Sequence, residues 1–132
     1  MTFKPPKLPG ARKIKLKADQ TPLEKVTESK GSSYARKTLG FVCVKFGGGA
    51  GGQRAYPDRL HIVSGFTYYI EYKRLGKKAT DSQKLKHEEM RRHGAVVYVV
   101  DSVPDAIKIH LYHYLGGRNH SPTHPRSLPI YD

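Results

Sequence analysis

Asp58, Glu71 and Lys73 are the residues whose types and spacing could do chemistry. They lie in one stretch, Tyr56–Lys73, with the sequence Y-P-D-R-L-H-I-V-S-G-F-T-Y-Y-I-E-Y-K. A Pro57–Asp58 pair precedes a short apolar run, Ser64–Gly65 forms a turn, and a second run ends on Glu71–Tyr72–Lys73. Side chains alternate along a strand, so Glu71 and Lys73 project to one side and Tyr72 to the other. If the two runs pair as a hairpin, Asp58 comes beside Glu71, and two carboxylates meet one ammonium at one end of a small sheet. Paired carboxylate oxygens suit a hard divalent cation such as Mg²⁺, which keeps several waters and takes few protein ligands. The ammonium could orient a water on that cation or neutralise charge on a reacting phosphate. By itself, Glu-x-Lys on a strand is an ordinary solvated ion pair; the Pro-Asp ahead of it gives the pattern chemical meaning.

The spacing P-D-x(12)-E-x-K resembles the signature of the PD-(D/E)XK nucleases. The longer string K-F-G-G-G…P-D-R-L…I-E-Y-K-R-L-G-K-K…Q…H…G…V-Y-V-V-D is similar to the VRR-NUC branch of that superfamily, over about residues 24–107. The resemblance implies an α/β fold with a restriction-endonuclease-like core, a mixed central sheet flanked by helices. It implies that Asp58, Glu71 and the backbone carbonyl of Tyr72 hold Mg²⁺ or Mn²⁺. It makes Lys73 the group that positions the attacking water and helps to deprotonate it. Two further residues come from the same source. Glu28, in Glu28–Ser29–Lys30, matches the extra acid of the first helix, and Gln83 matches a glutamine beside the metal on a later helix. His87 follows Gln83 at a spacing common in the family, although a half-buried histidine holding a backbone group reads equally well.

The elements that must position these residues can be read in chain order. Thr21–Pro22 before Leu23–Glu24 predicts a helix start, with the helix running to Thr38 or Leu39 and stopping at Gly40. Gly31 and the Ser32–Ser33 pair weaken its middle. Glu24 and Glu28 share a face of it. Phe41–Phe46 predicts a strand, read as central, with Cys43 as a buried small hydrophobe. Lys45 near its end is a candidate phosphate contact or a lysine snorkelling from a strand end. The loop Gly47–Arg54 is glycine-rich, but no Gly-Lys-Ser/Thr follows and the next element is a strand, so a nucleotide-triphosphate site is rejected. In the family it is a mobile loop at the mouth of the site. The hairpin follows as Leu60–Val63 and Phe66–Tyr72. Thr80–His93 predicts a helix ended by Gly94, and Ala95–Val100 a strand covered on both faces. Ser102–Asp105 opens a last helix through Leu115, with Ile107, Leu111 and Tyr114 as its core stripe. His110 and His113 on it lack enough companions for zinc and read as surface histidines.

Composition narrows the partner. The chain has 132 residues, enough for one domain, and a formal net charge of +13. That excess predicts a polyanionic partner, nucleic acid in the first place. No apolar run approaches the length needed to span a bilayer, and the N-terminus lacks a signal peptide's apolar core, so a cytoplasmic setting in a bacterial or virus-infected cell is expected. One cysteine permits no internal disulfide. The organisation reads as a basic, Pro-rich arm over 1–20, a nuclease domain over 21–117 and a Pro/His-containing tail over 118–132. Lys45, Arg54, Arg59, Arg74, Lys77 and Lys78 are the candidate DNA contacts. Small stand-alone relatives resemble Holliday-junction resolvases, which implies branched DNA, paired nicks and a homodimer. A flap or nicking nuclease in DNA repair shares the chemistry, and a non-catalytic basic binding module is the competing class.

Overall fold

The computed structural model describes residues 23–47, 55–118 and Leu128. The basic arm, Thr21–Pro22, Arg54 with most of its glycine loop, and most of the tail lie outside them. Helix α1 (Glu24–Ser33) runs into a π-helical segment, Tyr34–Thr38, and then strand β1 (Val42–Lys45). Strands β2 (Arg59–Val63) and β3 (Phe66–Tyr72) follow, then helix α2 (Asp81–Arg92), strand β4 (Val96–Val100) and helix α3 (Val103–Tyr114). The sheet of described strands has the order β1-β2-β3-β4, antiparallel except for the parallel pair β3-β4. A parallel pair needs a long crossover, and α2 supplies it. The result is a mixed α/β sheet with helices on both faces.

Local chemistry explains the boundaries. Ser64 and Gly65 both have positive φ, 50° and 79°. That is the backbone of the tight two-residue turn whose twist matches paired strands, and Ser-Gly tolerates it. Helix α2 starts at a capping box, in which Thr80 Oγ1 accepts from the Gln83 amide and the Gln83 side chain accepts from the Thr80 amide. Ser102 caps α3 by accepting from the Asp105 amide. Helix α1 differs from the expectation: its N-cap is Leu23, which makes no side-chain cap bond.

The core lies on one sheet face, where Tyr68, Ile70, Tyr72, Val96, Tyr98 and Val100 meet Ala35, Ala106 and Ile109 from the helical side. Gly31 has its reason here. A Cβ on it would stand 2.5 Å from Tyr72 Oη and 3.1 Å from the Ala106 Cβ, so only glycine lets α1 reach the sheet. Gly31→Val is therefore expected to destabilise the fold by about 1–3 kcal/mol, the usual cost of overpacking, read as a lower urea midpoint. An unchanged midpoint would mean that α1 docks elsewhere.

Four expectations are corrected by the packing. Strand β1 is an edge of the described sheet, not its centre, and Val42 and Val44 are 52% and 49% exposed. Its β-branched residues reported a strand but not its neighbours. Cys43 on it is half-buried. The stripe on α3 is rotated: Asp105, Ala106, Lys108, Ile109, His110 and His113 are buried, while Tyr114 is 55% exposed. His110 and His113 are thus core residues. Each has a tyrosine partner that sequence alone could not pair with it: Tyr68 Oη lies 2.6 Å from His110 Nδ1, and Tyr98 Oη 2.9 Å from His113 Nε2.

Candidate metal centre

The hairpin register pairs Arg59 with Ile70, so Asp58, one residue earlier, falls beside Glu71, one residue later. Both acids are buried. Asp58 Oδ2 accepts a 2.8 Å hydrogen bond from the Tyr72 amide, which fixes its carboxylate against β3. Glu71 Oε2 accepts from Gln83 Nε2 at 2.9 Å and lies 3.8 Å from Lys73 Nζ. Gln83 thereby does two jobs, closing the capping box of α2 through its oxygen and orienting Glu71 through its nitrogen.

The third acid at this point is Glu24. Single carboxylate oxygens of Glu24, Asp58 and Glu71 lie within 4.8 Å of one another. Glu28, the first-helix acid favoured on resemblance, is engaged differently. Its Oε2 accepts from Lys45 Nζ at 2.9 Å and from Arg59 Nε at 2.6 Å. Both glutamates share one helix face, but Glu24, in the first turn of α1, meets Asp58 and Glu71, whereas Glu28, one turn on, meets the two cations at the ends of β1 and β2. Lys45 also lies 3.7 Å from Asp58 Oδ1, so it links the two groups of acids. The α1 face was visible in the spacing of the glutamates; which turn reaches the site was not.

The donor set can be tested for a cation without one present. It is all oxygen, which suits Mg²⁺ or Mn²⁺. Glu71 Oε1 is buried and has no hydrogen-bond partner. Burial, and then the neighbouring Asp58, push the Glu71 carboxyl up to about 8. Burial also raises Asp58, against the Tyr72 amide that favours its charged form and with added repulsion from Glu28. Crowded, desolvated carboxylates with an unused oxygen are what a divalent cation neutralises. The residues fit the group.

This gives a pH-dependent prediction. The Glu71 carboxyl of the folded chain holds a proton up to about pH 8, well above its unfolded value, and a cation must displace that proton. Mg²⁺ or Mn²⁺ should therefore raise the melting temperature more at pH 8.5 than at pH 6, and the difference should shrink in Glu71→Gln. Equal rises at both pH values in wild type would place the ion elsewhere.

The candidate DNA contacts are spread around the centre. Lys45 is half-exposed and Arg59 is largely covered while holding Glu28. Arg74 lines a shallow depression with Leu23, Glu24 and Lys25. Lys77 and Lys78 line a separate cavity behind Lys73, along α2. His87 is buried; its Nε2 has no hydrogen-bond partner, and burial holds its pKa down at about 4.

Comparison with known proteins adds one finding. A solved structure titled "VRR_NUC domain" matches over 69% of this chain and 96% of its own, with a TM-score of 0.58 and 28% sequence identity. No protein-family model matches the chain, and no curated protein does.

Proposed function

We propose, from its likeness to a solved VRR_NUC domain in fold and at 28% sequence identity, that the chain is a nuclease of that family and acts as a metal-dependent, structure-selective DNA endonuclease that resolves four-way junctions by paired nicks. The observation that carries the reading is the meeting of Glu24, Asp58 and Glu71 within 4.8 Å beside Lys73, in a chain of net charge +13. A protein that only binds DNA has no physical need for buried acids inside a basic surface.

The residues divide the work as follows. Asp58, Glu71 and the Tyr72 carbonyl would hold Mg²⁺ or Mn²⁺, with Glu24 as the third carboxylate. A divalent cation held there polarises the scissile phosphate and acidifies water. Lys73, anchored beside Glu71 Oε2 at 3.8 Å, orients the water for in-line attack and takes part in its deprotonation. Gln83 keeps Glu71 in its rotamer. Attack on phosphorus breaks the P–O3′ bond, leaving a 3′-hydroxyl and a 5′-phosphate. Glu28 belongs to the Lys45–Arg59 ion group and sets where those cations stand. Lys45, Arg59, Arg74, Lys77 and Lys78 face the DNA phosphates, so affinity falls as salt rises.

Paired nicks need two active sites, and the exposed apolar half of the sheet is the surface we assign to a second copy. Val42, Val44 and Ile62 stand on the same sheet face as the α2 helix, which covers only the β3–β4 side. An uncovered edge strand with apolar residues invites pairing. Val44→Asp should convert a dimer into a monomer in sedimentation; a wild type that sediments as a monomer, free and junction-bound, would remove this part of the reading.

The test of the reading is the position of the cuts. Each strand of a four-way junction, end-labelled in turn, should show nicks at symmetric positions bearing ligatable 5′-phosphates. Cuts confined to a single-stranded flap would keep the chemistry and move the protein to the repair class.

A further inference from the structure

Behind Lys73 lies a cavity of about 450 Å³ that the cleavage chemistry does not use. Its wall on α2 is Lys84, His87 and Arg91, at successive helical spacings on one face of the helix. Val99 of β4, whose side chain stands on the α2 face of the sheet, and Ala79 form the apolar part of the lining, and Lys77 closes the rim. Two polar atoms in this wall are buried without a hydrogen-bond partner, His87 Nε2 and Arg91 Nε. His87 is only 1% exposed. Arg91 keeps its orientation by donating from Nη2 to the Val97 carbonyl at 2.7 Å, which leaves Nε–H over. Buried polar groups in folded proteins normally find partners, so two orphans lining one cavity indicate a ligand that supplies them.

We propose that this cavity receives one unstacked nucleotide of the DNA, with its base against Val99 and Ala79 and its phosphate among Lys77 and Lys84. The volume lies within the range of small-molecule sites and far exceeds a bare phosphate. An apolar lining suits the face of a base, and the two orphan nitrogens suit its polar edge. The cations on the rim outnumber the carboxylates, Asp101 and Asp105, that share the lining. Position supports it too. His87 follows Gln83 by one turn of α2, and Gln83 holds Glu71, so a nucleotide here lies next to the reacting phosphate. Unpairing costs least at a branch point, where bases are already poorly stacked, so the cavity would give a junction an advantage over a linear duplex.

The identity of the ligand as a DNA nucleotide rests on the nuclease reading; its binding does not need cleavage. The full chain, labelled with ¹⁵N and kept in chelator, is titrated with thymidine 5′-monophosphate, thymidine and inorganic phosphate. The nucleotide should shift the His87 ring signals and the amides around Lys77 and Lys84 saturably, binding at least about tenfold more tightly than phosphate or nucleoside alone. Lys84→Glu, an exposed change on a folded helix, should weaken it by about tenfold or more, and Glu71→Gln should leave it unchanged. Phosphate binding as tightly as the nucleotide, shifts confined to the surroundings of Glu71, or no saturable shift each overturn the proposal. Binding without any cleavage would fail the nuclease reading and leave the cavity site standing. Cleavage without binding would do the reverse.

Discussion

Asp58→Asn is expected to lower DNA cleavage by at least about 10³-fold while leaving the protein as stable as wild type or more so. The geometry makes both halves of that result specific. Asn keeps the shape of the side chain and can still accept from the Tyr72 amide, the bond that seats residue 58 against β3 at 2.8 Å. It removes one of the three carboxylates that crowd within 4.8 Å. Folding keeps the Tyr72 bond, gives up only the half-exposed Lys45 ion pair at 3.7 Å, and no longer buries a carboxylate whose charge burial, and then its acidic neighbours, disfavour. Cation binding loses a ligand, and the scissile phosphate meets less neutralising charge. Tightened DNA binding should accompany the lost cleavage, since an acid has left a basic surface. Lys73→Ala should cost about 10²–10⁴-fold by a different route, the loss of the group that orients and deprotonates water, with cation affinity little changed. Circular dichroism melts beside cleavage rates read all of this. An Asp58→Asn protein that cuts at wild-type rate would remove the carboxylate cluster from the mechanism.

The second large effect is loss of the fold in mild acid. His61, His110 and His113 are all buried, in a stack in which Tyr68 lies 4.7 Å from the His61 ring and 4.2 Å from the His113 ring, with His110 bonded to Tyr68 Oη. Burial holds His61 down at about 3 and His113 at about 4, and lowers His110 as well. The folded chain thus keeps these rings neutral while the unfolded chain protonates them near 6.5. Their stabilisation is complete above that value and is lost as pH falls toward the folded values. At pH 5 His61 and His113 each cost roughly 2 kcal/mol, roughly 4 together, and His110 adds in the same direction, a large share of the stability of a domain this size. Glu71 works in the other direction, because its folded carboxyl takes up a proton below about 8 and so gains stability with acid, about 3 kcal/mol between pH 7.5 and 5.0, which offsets only part of the histidine cost. With metal bound that offset disappears. Urea melts at pH 7.5 and 5.0 should show a large drop, and His113→Gln should flatten the slope by close to one proton. A wild type equally stable at both pH values would contradict the buried neutral cluster.

The hairpin was legible because its chemistry is local: Ser64–Gly65 dictates the turn, the turn dictates the register, and the register sets Asp58 against Glu71. The helices were legible from their caps, Thr80 and Ser102. What escaped the sequence depends on partners far along the chain. The valines and phenylalanine of β1 read as a central strand because they report burial without saying what covers them, whereas β1 lies at an edge of the described sheet with Val42 and Val44 outward. Glu24 and Glu28 are indistinguishable by spacing, and the choice follows from where α1 docks, which Gly31 controls by admitting Tyr72. His110 and His113 looked like surface groups because their tyrosine partners, Tyr68 and Tyr98, stand on other elements. The two-fold role of Gln83, cap and Glu71 holder, was likewise only half visible.

The central claim, that the acids beside Lys73 work as a metal centre on branched DNA, is tested most directly by one cleavage series. Labelled four-way junction, flap and linear duplex are incubated with wild-type protein in Mg²⁺, in Mn²⁺ and in chelator. The account predicts paired nicks in the junction with either cation, little cutting of the duplex, and none of any substrate in chelator. Cleavage that persists in chelator, or tight DNA binding with no cleavage of any substrate in either metal, would contradict it.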